Sequence, residues 1–164
     1  MSTGPETAVR EALSALGVEH EVFPCDPSLA DTNVFCERYG YPMEKSANTI
    51  VVVGKADPRR YAACVALATT RVDVNKVVRR RLGVRRISFA SAEETREMTG
   101  MELGGVTPLA LPPELPLWVD ARVMDCDWVI LGGGSRSAKV KVTPEVFLRI
   151  PNATIVEGLA QERP

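Results

Sequence analysis

Residues 49–53 read Thr-Ile-Val-Val-Val, a run of β-branched side chains closed by Gly54. Branching at Cβ crowds the preceding turn of a helix but packs well on a pleated surface. The run predicts a buried strand, since four of its five side chains are apolar and turn residues bound it. The rest of the chain must supply the partners and cover of that strand.

The flanking segments predict both kinds of element. Ala8, Val9, Ala12, Leu13 and Leu16 share one face of a helix over 6–16, with Pro5 in the first turn and Gly17 at the stop. Residues 18–23 alternate as a strand that Pro24 and Pro27 end. A short helix over 32–39 follows, with Asp31 as N-cap and Gly40 as stop, and Pro42 opens another helical turn. Residues 60–70 read as the partner strand, although their alanines suit either element. Asp73 caps a helix whose apolar face is Val74, Val77, Val78 and Leu82, ended by Gly83. After a strand at 86–89, Ser91 and Glu94 form a capping box for a helix that ends at Gly100. Strands are expected at 117–120, 128–131 and 138–142, a helix from Pro144 to Ile150, a strand at 153–156 and a loose tail over 161–164. This order is neither regular βαβ alternation nor all-β. It predicts an α+β fold with a mixed or antiparallel sheet, and no linker divides the 164 residues into more than one domain.

Composition excludes several classes of function. Hydrophobic residues at 45% and charged residues at 25% are a globular mixture, and the net charge of −1 gives no global attraction to nucleic acid. The arginines at 79–81 and 85–86 form one basic cluster, either a solvated helix face or a contact for phosphates. No apolar window approaches a membrane span and the N-terminus lacks a secretory pattern, so the expected location is cytoplasmic. The four cysteines are widely spaced and His20 is the only histidine, so neither a zinc site nor another metal or cofactor is expected. Cys64, among alanines and valines, reads as a small buried hydrophobe. Trp118 and Trp128 read as core or pocket wall.

Two glycine loops are the sharpest local features. In Gly104-Gly105-Val106-Thr107-Pro108, two glycines allow close backbone approach and Pro108 stiffens the exit. Such a loop can present several N–H groups to one oxygen, or be a tight connection and nothing more. Gly132-Gly133-Gly134-Ser135-Arg136-Ser137 combines bare amides, hydroxyls and a guanidinium, which suits an anion or a plain hairpin equally. Neither loop matches a nucleotide-binding glycine motif.

Taken together, three segments resemble the YbaK / Cys-tRNA(Pro) deacylase family, whose domain also occurs inserted in prolyl-tRNA synthetases. They are Tyr39-Gly40-Tyr41-Pro42-Met43-Glu44 leading to Ala47-Asn48-Thr49-Ile50-Val51-Val52, then Arg71-Val72-Asp73-Val74-Asn75-Lys76 leading to Leu82-Gly83-Val84, and finally Thr99-Gly100 through Gly104–Pro108 with Leu115-Pro116, Asp120 and Gly132-Gly133. Order and spacing agree from about Leu13 to Ile155. The resemblance implies a mixed, largely antiparallel, barrel-like sheet with flanking helices. It implies hydrolysis of a mischarged small amino acid from the tRNA 3′ end without a cofactor, with a synthetase as a further partner.

On the same resemblance, Gly104 and Gly105 hold the acyl carbonyl, Val106, Thr107 and Pro108 shape the pocket, and Asp120 with Gly132, Gly133, Gly134, Ser135 and Arg136 completes the substrate site. Two departures bear on chemistry. Asn48 stands where the family has a lysine, and Lys139 stands where some members have an aspartate. The expectation is that Lys139, or Lys45 one helical turn before Asn48, supplies the missing cation. The alternative is a module that binds tRNA or a synthetase without hydrolysis.

Overall fold

The computed structural model describes residues 4–163. Helix α1 (Gly4–Leu16) leads into strand β1 (His20–Pro24) and helix α2 (Thr32–Tyr39). Strands β2 (Ala47–Gly54), β3 (Arg60–Leu67) and β4 (Thr70–Val72) follow. A π-helical turn (Val74–Val78) runs into α3 (Arg79–Leu82), then come β5 (Ile87–Phe89) and α4 (Ala92–Thr99). The second half is β6 (Leu117–Asp120), β7 (Val129–Gly132), β8 (Ala138–Val142), α5 (Val146–Arg149), β9 (Ala153–Val156) and β10 (Ala160–Glu162).

The main sheet has the order β5-β2-β3-β6-β9. Its β5–β2 and β2–β3 pairings are antiparallel, whereas β3–β6 and β6–β9 are parallel, which makes it mixed. A second, antiparallel sheet has the order β1-β8-β7, and β10 pairs with β4 in a small third one. The α+β class follows the sequence reading, but the barrel-like closure does not form. The two larger sheets touch through one parallel bridge, Ser46 to Ile130, and otherwise keep their own edges.

Strand β3 shows why its alanine-rich sequence does not form a helix. Alternate side chains enter different cores. Ala63, Val65 and Leu67 face a cluster with Leu117, Val119, Leu131, Val140 and the helix residues Val9, Leu13 and Phe147. Ala62, Cys64 and Ala66 face a second cluster with Trp118, Val78, Leu82 and Leu159. A strand covered on both faces has room only for small side chains where its neighbours approach closely. Burial pushes the Cys64 thiol up to about 12, as desolvation disfavours a thiolate. All four cysteines are free.

Local signals behave as their chemistry dictates. The Ser91 hydroxyl accepts from the Glu94 N–H at 3.0 Å, and the Glu94 carboxylate accepts from the Ser91 N–H at 3.2 Å. Asp73 accepts from the Lys76 N–H at 3.1 Å, as a cap should. Asp31 stands at the N-cap of α2 but makes no cap bond; its carboxylate is engaged elsewhere.

The tail is a correction to the sequence reading. Residues 160–162 pair with 70–72 as β10, and Gln161 Nε2 donates to the Asp73 carboxylate at 3.2 Å. Leu159, fully buried, fills the second core just before this strand. A sequence pattern cannot reveal a pairing across almost ninety residues. Leu159→Ala should therefore cost about 2–5 kcal/mol in chemical denaturation; a loose tail would give a change within about 0.5 kcal/mol.

Candidate functional site

A cleft of about 230 Å³ lies where the start of α2, the first half of β2, the 103–106 loop and the end of β7 meet. Strand β5 pairs only with Val52–Gly54, and on the same side of β2 strand β7 bridges Ser46 through Ile130, so residues of both β2 and β7 line this cleft. The Val51 carbonyl accepts from the Ala90 N–H at 2.9 Å on the β5 side. Backbone groups repeat every second residue along a strand, so the N–H and C=O of Thr49 face that same side, towards the cleft that β7 also lines. The buried Thr49 Oγ1 has no partner.

The two glycine loops form one unit. The Gly134 N–H donates to the Gly105 carbonyl at 2.8 Å. A Cβ on Gly105 would lie 2.6 Å from Ser135 Cα, and one on Gly133 would lie 2.6 Å from the Ala138 carbonyl carbon. These glycines are needed because backbone packs on backbone. The Gly105 N–H closes its own turn onto Glu102 at 3.0 Å, whereas the N–H groups of Gly104 and Val106 have no backbone acceptor among the described residues. Both residues line the cleft, with Gly104 at φ 89°.

Lys139 is the central charge. It leaves β8 opposite Gly132 and is only 5% exposed. Its Nζ donates to the Ala30 carbonyl at 2.7 Å and the Gly104 carbonyl at 3.3 Å, and lies 5.1 Å from the Phe35 ring centre. No carboxylate pairs with it among the described residues. Burial holds its pKa below the ordinary lysine value, with the nearby Cys25 thiol opposing that and Arg136 adding to it. Arg136 clips the rim: Nε donates to the Pro27 carbonyl at 3.0 Å, and one terminal nitrogen donates to Asp31 at 3.1 Å and to the Leu103 carbonyl at 3.0 Å. That is where the Asp31 carboxylate is used.

Of the residues the sequence singled out, Asn48, Gly104, Val106, Gly132 and Lys139 meet at the cleft. The Thr32 hydroxyl donates to Asn48 Oδ1. Lys45 stays outside: its ammonium pairs with Asp127 at 2.7 Å and stacks 4.6 Å from the Trp128 ring centre. Asp120 also lies elsewhere. It is fully buried and accepts from the Ala160 N–H at 3.3 Å, tying β6 to β10, and burial raises its pKa. Gly134 and Ser135 turn towards α1, where the Ser135 hydroxyl donates to Glu6 at 2.6 Å. Pro108 and Thr107 are buried at the start of a 3-10 turn beneath the loop. Sequence reasoning missed Ala30, Thr32 and Phe35; the Asp31 cap before α2 was the available signal for them. Among the described residues no group of three or more His, Cys, Asp or Glu is placed to hold a metal, and no helix is long and apolar enough to cross a membrane.

Comparison with known proteins bears on the family and the fold. The model of the aminoacyl-tRNA editing domain matches residues 26–150. YwhH, an uncharacterized protein of Bacillus subtilis, is 26% identical over 84% of this chain and 85% of its own. EbsC of Enterococcus faecalis, named as a candidate Cys-tRNA(Pro)/Cys-tRNA(Cys) deacylase, is 21% identical over 77% of this chain and 75% of its own. A solved structure described as a candidate trans-editing enzyme for prolyl-tRNA synthetase superposes with a TM-score of 0.81 at 23% identity, covering 99% of this chain and 100% of that one. A solved hypothetical protein gives 0.82 at 23% identity over 94% and 99%.

The loop contact predicts a specific cost. Gly105→Ala should destabilise the protein by about 1–3 kcal/mol, since its Cβ meets backbone that cannot rotate away. Gly40→Ala, with open space around its Cβ, should incur only the smaller left-handed backbone cost of about 1 kcal/mol. Thermal or urea unfolding of the two variants checks the order.

Proposed function

The chain belongs to the aminoacyl-tRNA editing domain family, and from that membership we propose that it hydrolyses the ester joining a small acyl group to the 3′ end of a tRNA. The observation that carries the reading is that two loop residues without a backbone acceptor for their amides and one buried cation line the same small cleft. Ester hydrolysis needs donors where negative charge develops on the carbonyl oxygen, fixed in place before the reaction. The Gly104 and Val106 N–H groups and the Lys139 ammonium fill that role. Water adds to the carbonyl carbon, the bond to the ribose oxygen breaks, and that oxygen takes up a proton. The cleft lining contains no histidine and its one carboxylate, Asp31, is held by Arg136. Proton transfer is therefore left to solvent or to the neighbouring ribose hydroxyl.

We assign the cation role to Lys139 and not to Lys45, because the latter is committed to Asp127. Asn48 then acts as a neutral donor through its Nδ2 group, with Thr32 fixing its rotamer. The reaction is placed in the cytosol, in trans to the synthetase that charges the tRNA. The second reading, a binding module without hydrolysis, is favoured by one observation: Lys139 is already bonded to two carbonyls, which limits its reach.

Single-turnover hydrolysis of a panel of acyl-tRNAs separates the two. An editing enzyme releases at least one acyl group above the spontaneous rate. Lys139→Met should lower that rate by about 10²–10³, the scale for loss of one oxyanion donor, while Lys45→Met leaves it within about twofold. Binding without release from any ester supports the module.

A further inference from the structure

We propose that Asp31 is the residue that recognises the α-ammonium of the substrate, so that the cleft selects an ester with a free amino group over a hydroxy-acid ester of the same size. The ester itself rests on the deacylase reading. The recognition of its nitrogen rests on where Asp31 stands and on what the cleft offers a cation.

Position comes first. Lys139 Nζ donates to the Ala30 carbonyl at 2.7 Å, and that carbonyl belongs to the trans peptide that joins Ala30 to Asp31. Standard peptide dimensions then put Asp31 Cα within about 6 Å of the ammonium. Asp31 lines the same cleft as Lys139 and Gly104. An ester carbonyl bound beside Lys139 carries its α-nitrogen three bonds from the carbonyl oxygen, about 3–4 Å away. Like charge turns an α-ammonium away from Lys139, and the Asp31 side of the cleft lies within that reach.

Chemistry comes second. Asp31 is the one carboxylate among the lining residues. Other acceptors there are engaged: Asn48 Oδ1 accepts from the Thr32 hydroxyl, and the Ala30 and Gly104 carbonyls accept from Lys139. An aspartate at an N-cap ordinarily accepts from the first turn of its helix. Asp31 stands at the N-cap of α2 and makes no such bond. Its side chain is 67% exposed, and Oδ1 accepts from a terminal nitrogen of Arg136 at 3.1 Å. Among the described residues no side-chain hydrogen bond uses its second oxygen. The Pro27 and Leu103 carbonyls anchor Arg136, so the carboxylate is held in one orientation with that oxygen open. An ammonium suits it through a charge-assisted hydrogen bond. Without Asp31, the charges nearest the cleft are Lys139 and Arg136, and both repel a cation.

The test measures binding of two non-hydrolysable 3′-amide analogues of adenosine, alanyl and lactyl, which differ in an ammonium against a hydroxyl. At about pH 6, where an α-amino group is protonated, the wild type should bind the alanyl analogue about tenfold tighter. Asp31→Asn leaves both cations unopposed and should abolish or reverse that preference, with lactyl binding kept within about twofold. Asp31→Glu should keep its direction. Equal binding of the two analogues by the wild type overturns the proposal. So does an Asp31→Asn variant that weakens both equally, since that result belongs to a rim clip and not to an ammonium site. The expected preference with no release from alanyl-tRNA in single turnover retains the role of Asp31 and overturns the deacylase reading alone. Release from alanyl-tRNA, at subsaturating protein, that Asp31→Asn leaves unchanged overturns the role of Asp31 alone.

Discussion

The site depends on a contact between two stretches of bare backbone. Gly105 and Gly134 join through one hydrogen bond, and the loops that carry them pack so closely that a methyl group on Gly105 or Gly133 would strike main chain. This contact brings a loop that follows α4 against the hairpin between β7 and β8. It places the Gly104 and Val106 amides beside Lys139, which is far from them in sequence. The individual glycines are thus chiefly structural, and the chemistry falls to the residues beside them.

A buried lysine without a carboxylate is costly unless its donors are satisfied. Here two carbonyls, from the segment before α2 and from the glycine loop, take that role. Lys139 therefore does two things: it ties three segments together around the cleft and leaves a positive charge facing it. The Arg136 clip reinforces the same closure from the rim. The cleft that results is small and has a buried positive charge in its wall. These properties favour a compact group with an electron-rich oxygen.

Much of the frame was legible because its signals are local. The β-branched run at 49–53, the Ser91–Glu94 capping box and the glycine stops each act over a few residues. The chain extends β2 back to Ala47 because Ala47 and Asn48 pair with Leu67 and Ala66, which no local pattern records. The split of the 60–70 strand into β3 and β4 comes from a turn in which the Thr70 hydroxyl donates to the Leu67 carbonyl at 2.8 Å. The site was less legible. Lys45 is near Asn48 in sequence, but its 3-10 turn ends before β2 and sends the ammonium to Asp127 and Trp128. Asp120 looked like a site residue and proved to hold β10, because the role of a buried carboxylate depends on its partner and not on its spacing.

In the proposed reaction Lys139 and the Gly104 loop act on one oxygen. The most direct measurement is a crystal structure of the protein with a 3′-amide analogue of an acylated adenosine. The acyl carbonyl oxygen is expected within hydrogen-bond distance of Lys139 Nζ and of the Gly104 or Val106 N–H. An analogue bound with its carbonyl away from both, or held instead beside Lys45, would contradict it.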